Sequence, residues 1–139
     1  MIRTILVATD GSDHAKKALT LASDLGAKYG AKLILLHVPL FNVGSETLHA
    51  VATRSGLPKK LRDLLDNYEI DFQLGVAATG MGAAIGAGFA PPPRELVAAI
   101  GQQIIARAEK ITSKAGVKKV TSMITEGDPA DVILNTAAK

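Results

Sequence analysis

The tightest constraint on this chain is the order of apolar and polar residues between Ile2 and Val38. Ile5, Leu6, Val7 and Ala8 form a short apolar run, and Thr9-Asp10-Gly11-Ser12 breaks it. A helical pattern starts at once, with Ala15, Ala18, Leu19, Ala22, Leu25 and Tyr29 on one face and Lys16, Lys17, Ser23 and Asp24 elsewhere. Gly30 stands where a left-handed residue would close such a helix. A near-continuous apolar run follows, Lys32-Leu-Ile-Leu-Leu-His-Val38, and Pro39 stops it. Apolar runs of this length without alternation belong to strands covered on both faces, and a helix between two of them makes a parallel βαβ unit. The connection in such a unit is right-handed in nearly all cases. The fold class is therefore α/β. Thr9 to Ser12 then falls at the carboxyl end of the first strand, where open parallel sheets bind ligands. A helix-capping loop has the same residues, so this stretch alone leaves both readings open.

Beyond Pro39 the pattern changes. Residues 42 to 56 are polar and irregular, and Pro58 to Tyr68 has the leucine spacing of a short helix. Phe72 to Pro93 carries no charge and is dominated by Gly and Ala, ending in Pro91-Pro92-Pro93. The expectation there is a loop or short Ala-rich helix. A dinucleotide loop at Gly80-Met-Gly82-Ala-Ala-Ile-Gly86 fails because the third Gly comes one place late. A membrane span fails because Gly and Ala supply little transfer energy. A segment that packs on a partner chain is the remaining reading. A long helix is predicted from Arg94 to Ala115, with Val97, Ile100, Ile104, Ala108 and Ile111 as its buried stripe. A third strand is predicted over Val117 to Thr125. Gly127-Asp128-Pro129 then opens a last helix, with Asp128 at the N-cap and Pro129 at its first position.

Composition narrows the function. The 139 residues suffice for one domain, and 47% hydrophobic residues with 4% aromatics require an aliphatic core. Few aromatics, a net charge of +3 and scattered lysine pairs (Lys16-Lys17, Lys59-Lys60, Lys118-Lys119) do not make a nucleic-acid surface. With no Cys there are no disulfides and no thiol catalysis, which fits a reducing, cytoplasmic setting. There is no signal-peptide pattern at the amino terminus. His14, His37 and His49 lack metal-ligand spacing. In an apolar strand, His37 fits a hydrogen-bonded core residue. Asp10, Asp13 and Asp128 fall at the strand ends and offer acceptors for Mg²⁺ carried with a phosphate, although caps explain Asp13 and Asp128 equally well.

At Asp10-Gly11-Ser12, Leu36-His37-Val38 and Gly127-Asp128-Pro129, in that order, the chain resembles the universal stress protein family. The resemblance implies a three-layer α/β sandwich with a parallel sheet in the order 3-2-1. The family order is 3-2-1-4-5, and strands 4 and 5 are absent here. It implies one domain over residues 1–139, incomplete at its carboxyl end, with residues 39–93 as a variable insert between the second strand and the following helix. Many members bind ATP or AMP, and many are dimers. The resemblance gives Ala8, Thr9, Asp10, Gly11 and Ser12 to the adenine and ribose, His37 and Val38 to the adenine side, and Gly127 to the same cleft. The family's phosphate-binding pattern, Gly-x2-Gly-x9-Gly-Ser/Thr, does not occur in this sequence. The expected function is an adenine-nucleotide-binding regulator, with Mg²⁺ accompanying the phosphates, in a cytoplasmic homo-oligomer with no nucleic-acid or membrane partner. The rival expectations are a protein-docking module of the same fold and, further off, a Mg-dependent phosphate-transfer enzyme. An apolar first strand left at a sheet edge is expected to be covered by a second copy or by residues 39–93, unless the chain is part of a longer domain.

Overall fold

The computed structural model describes residues 1–41, 48–50, 57–83 and 91–139, with 71–73 and 75–83 at the level of the backbone. The elements are β1 (Thr4–Ala8), α1 (Asp13–Tyr29), β2 (Lys32–His37), α2 (Lys59–Ala83), α3 (Arg94–Lys114), β3 (Val120–Ile124) and α4 (Pro129–Ala137). The chain divides into two compact units, residues 1–39 with 101–139, and residues 40–100.

The first unit holds the sheet. Its three strands are all parallel, in the order β1-β2-β3, which is the expected 3-2-1 seen from the other edge. Thr4 pairs with Lys32 and Ala8 with Leu36 across β1 and β2; Leu33 pairs with Val120 and His37 with Ile124 across β2 and β3. Among the described residues, β1 is hydrogen-bonded to a strand on one side only.

Strand side chains alternate between faces. Val7, Leu33 and Leu35 point to the face that also receives Leu19 and Ala22 of α1, Ile105 and Ala108 of α3, and Val117; Ile5, Ile111 and Val120 pack against this cluster. Leu33, Leu35 and Leu36 of β2 are wholly buried, as a central strand with continuous apolar sequence requires. Fully burying each leucine contributes about 1.5–3 kcal/mol. Two buried hydroxyls are satisfied within their own helices: Ser23 donates to the Leu19 carbonyl at 2.7 Å and Thr112 to the Glu109 carbonyl at 2.9 Å.

The ends of α1 follow from single residues. Ser12 is its N-cap, accepting from the Ala15 amide at 3.1 Å. Gly30 at φ 64° is its left-handed stop and returns its N–H to the Gly26 carbonyl. Asp128 caps α4 as expected, accepting from the amides of Ala130 and Asp131 at 2.9 and 3.1 Å, with Pro129 next.

In the second unit, Leu48, Leu57, Leu65, Leu96, Val97 and Ile100 are buried. The Arg94 guanidinium lies 5.3 Å from the centre of the Phe41 ring, and His49 meets Glu69 at 3.3 Å. The short helix expected from Pro58 to Tyr68 is in fact 25 residues long and runs on to Ala83. The Gly/Ala stretch is therefore helical through Ala83, and its remainder to residue 90 lies outside the described residues. Alanine is the strongest helix former, so Ala77, Ala78 and Ala83 suit a helix, in which each interior glycine costs about 1 kcal/mol relative to alanine. Among the described residues, no helix is long and apolar enough to cross a membrane.

Candidate functional site

All three strands end on one edge, and the residues singled out in the sequence lie along it within the first unit. Ala8 is the last residue of β1 and is exposed. Thr9 is buried and held from β2, its amide donating to the Leu36 carbonyl at 2.9 Å. Asp10 is exposed; its Oδ1 accepts from the Ser12 amide at 2.9 Å, closing a side-chain-to-backbone turn. Gly11 donates its amide to Thr9 Oγ1 at 3.3 Å and stands at φ 79°. A side chain there would also meet Ile104, since a Cβ would lie 3.0 Å from Ile104 Cγ1. Only glycine satisfies both conditions. Ser12, half-buried, leads into α1.

His37 closes β2. It is buried, and its Nδ1 lies 2.8 Å from the Thr9 carbonyl. A carbonyl only accepts, so Nδ1 carries the proton. The His37 carbonyl accepts from the Thr125 amide at 3.1 Å, tying the end of β3 to the same residue. Val38 is half-buried just beyond. Gly127, at φ 142°, forms the turn between β3 and α4, where a Cβ would fall 2.9 Å from Val132 Cγ2. Sequence reasoning missed Gly101 of α3. A Cβ on Gly101 would lie 3.0 Å from His37 Cδ2 and 3.4 Å from Nε2, so the helix can approach the ring only at a glycine. The one available signal was an isolated glycine inside a helical pattern.

The charge on this edge follows from the same contacts. Burial pushes the Asp10 carboxyl up, but the Ser12 amide and hydroxyl, its own amide and His37 together outweigh it, and the carboxyl sits below its ordinary 3.8. It is a carboxylate at neutral pH, with acceptor capacity left over for a ligand donor. Burial lowers the His37 imidazole below its ordinary 6.5, against the Thr9 carbonyl and the Asp10 charge, which raise it. The unfolded ring therefore takes a proton at a pH where the folded ring does not. His37 imposes no loss above pH 6.5, and stability falls as the pH drops from 6.5 to the folded value. Denaturant midpoints measured between pH 7 and 5 should show this decline in the native protein and a shallower one in His37→Asn.

Asp10, Asp13 and Asp128 do not form a metal centre by themselves. Among the described residues, no group of three or more His, Asp or Glu side chains is placed to hold an ion.

A parallel sheet with a glycine-bearing, carboxylate-bearing loop at the carboxyl end of its first strand defines a protein of the open parallel α/β class. The sequence profile of the Universal stress protein family matches residues 1–70. The chain belongs to that family. A curated relative, the Universal stress protein in QAH/OAS sulfhydrylase 3'region of Thermus aquaticus, is 49% identical over 37 residues, which is 27% of this chain and 27% of the relative. A solved structure described as a universal stress protein in complex with cAMP shares the fold, with a TM-score of 0.51 and 18% identity. That match takes in 99% of this chain and 65% of the other, so the chain spans less than two thirds of either protein.

Proposed function

We propose that the protein binds an adenine nucleotide at the carboxyl edge of its sheet and acts as a regulator of the stress-response type, not as a fast enzyme. The observation that carries this reading is the Asp10 loop. An exposed carboxylate is held by the Ser12 amide beside the exposed Gly11, next to the end of β2. A carboxylate accepts from an adenine amino group or from ribose hydroxyls. Ala8, Thr9, Ser12, Val38 and Gly127 complete the proposed lining, and His37 is buried behind it on the Thr9 carbonyl. The cAMP complex of the fold neighbour supports the adenine class. ATP or AMP with Mg²⁺ on its phosphates is the expected ligand form. We place the protein in the cytoplasm as a homo-oligomer, with residues 39–93 as an insert in one domain and with no nucleic-acid or membrane partner.

The test is equilibrium dialysis of the full chain against ATP, AMP and cAMP. Asp10→Ala should weaken the best of these by about tenfold, the scale of one lost hydrogen bond to a charged group. It should cost no more than about 1 kcal/mol of stability, since the side chain is exposed. Unchanged affinity in the variant, or no binding of any of the three at millimolar concentration, would overturn the reading. Among the described residues β1 has a neighbouring strand on one side only, which favours a second reading, a module that docks a partner strand. A stoichiometric protein partner co-purifying without nucleotide would support it.

A further inference from the structure

His37 joins the three strand ends. Its ring donates from Nδ1 to the Thr9 carbonyl at 2.8 Å, and its own carbonyl accepts from Thr125 at 3.1 Å. The residue before it, Leu36, accepts from the Thr9 amide at 2.9 Å. Both backbone groups of Thr9 are therefore held by consecutive residues of β2, one through the main chain and one through the imidazole. Thr9 is the last fixed point before Asp10. Without the second bond its carbonyl can rotate about the adjoining dihedrals, and Asp10 turns with it. The ring reaches this place because α3 presents Gly101 to it, where a Cβ would touch both Cδ2 and Nε2.

We propose that His37 is a positioning residue for the Asp10 loop, acting through the Thr9 carbonyl and not by touching ligand, and that Gly101 is the seat that holds its ring in that orientation. Its consequence for affinity rests on the adenine-nucleotide reading. The geometry itself does not.

In free solution a neutral imidazole favours the proton on Nε2, so a protein-imposed Nδ1–H form has a distinct signature. Nitrogen-15 NMR of the native protein above pH 7 should show His37 protonated at Nδ1 and bare at Nε2. The opposite tautomer would overturn the proposal without any variant. Asparagine places its amide nitrogen close to the position of Nδ1, whereas leucine fills the space without a donor. His37→Leu should move the Gly11 and Ser12 amide resonances and weaken ATP binding about tenfold, the scale of one buried hydrogen bond. His37→Asn should recover most of both effects. Gly101→Ala, which crowds the ring while leaving every donor in place, should move the same two resonances and serves where His37→Leu does not fold. If His37→Leu loses stability but leaves the Gly11 and Ser12 resonances and the ATP affinity unchanged, His37 is only core packing and the proposal fails. If the native protein binds no nucleotide while those resonances respond as described, the positioning role stands and the adenine reading falls.

Discussion

Leu33→Ala is expected to destabilise the protein by about 3–5 kcal/mol, the upper part of the range for a buried leucine cut back to alanine. Leu33 lies in the central strand, has no exposed surface and sits at the meeting point of α1, β2 and Val117. Both neighbouring strands are hydrogen-bonded to β2, so the backbone cannot move in to fill the hole. The residual cavity adds its own cost to the lost transfer energy, which is why the expectation stays high. The chain has no Trp, so far-UV circular dichroism through a urea titration is the natural measurement. Amide exchange at Leu33 and Leu35 then reports the sheet unit separately. A loss under about 1 kcal/mol would mean that the sheet and α1 are not packed as described.

The second large effect is expected at Gly26, on the other side of the same contact. A Cβ there would land on Leu33 Cδ1 and lie 3.5 Å from Val117 Cγ2. An exposed helical glycine replaced by alanine gains up to about 1 kcal/mol in helix propensity. Here overpacking opposes that gain at about 1–3 kcal/mol, and Gly26→Val, with a branched side chain, should lose at least about 2 kcal/mol. The two sites touch, so their effects should not add. Trimming Leu33 to Val makes room for a methyl group, and Gly26→Ala with Leu33→Val should be more stable than the sum of the single losses predicts. Strict additivity in that double-mutant cycle would show that the helix has shifted away from the strand.

These two residues also mark the boundary of what the chain makes legible. β1 and β2 were readable because a strand buried on both faces needs a continuous apolar run, and Ile5 to Ala8 and Leu33 to Leu36 supply one. The start of α4 was readable because Asp128 and Pro129 perform local chemistry that needs no tertiary partner. The placement of Asp10, Gly11 and Ser12 at the end of β1 followed for the same reason. β3 began later than expected, at Val120 and not at Val117, because Val117 packs into the core cluster from the turn before the strand. The length of α2 was missed because glycines at 75, 80 and 82 read as breakers, and the alanines between them outweighed that signal. Gly26 and Gly101 were unreadable in a stronger sense. Each is a glycine inside a helix whose reason is a side chain on β2, Leu33 in one case and His37 in the other. A helical pattern records which face is buried but not how closely a strand approaches it.

The order of the sheet bears on how the molecule assembles in time. β1, α1 and β2 follow one another with short turns, so their contacts are local and form with little loop-closure entropy. β3 must instead return to β2 after the whole stretch between His37 and Val120 has been bridged. The entropic cost of that closure grows only logarithmically, by roughly 0.6 kcal/mol for each doubling of the loop. A βαβ unit closed by short turns and a third strand reached only through this long crossover make the intervening segment inexpensive to lengthen or replace. Lengthening residues 42–56 with a Gly/Ser tract should slow refolding and lower stability by the same small free energy, and leave the unfolding rate nearly untouched.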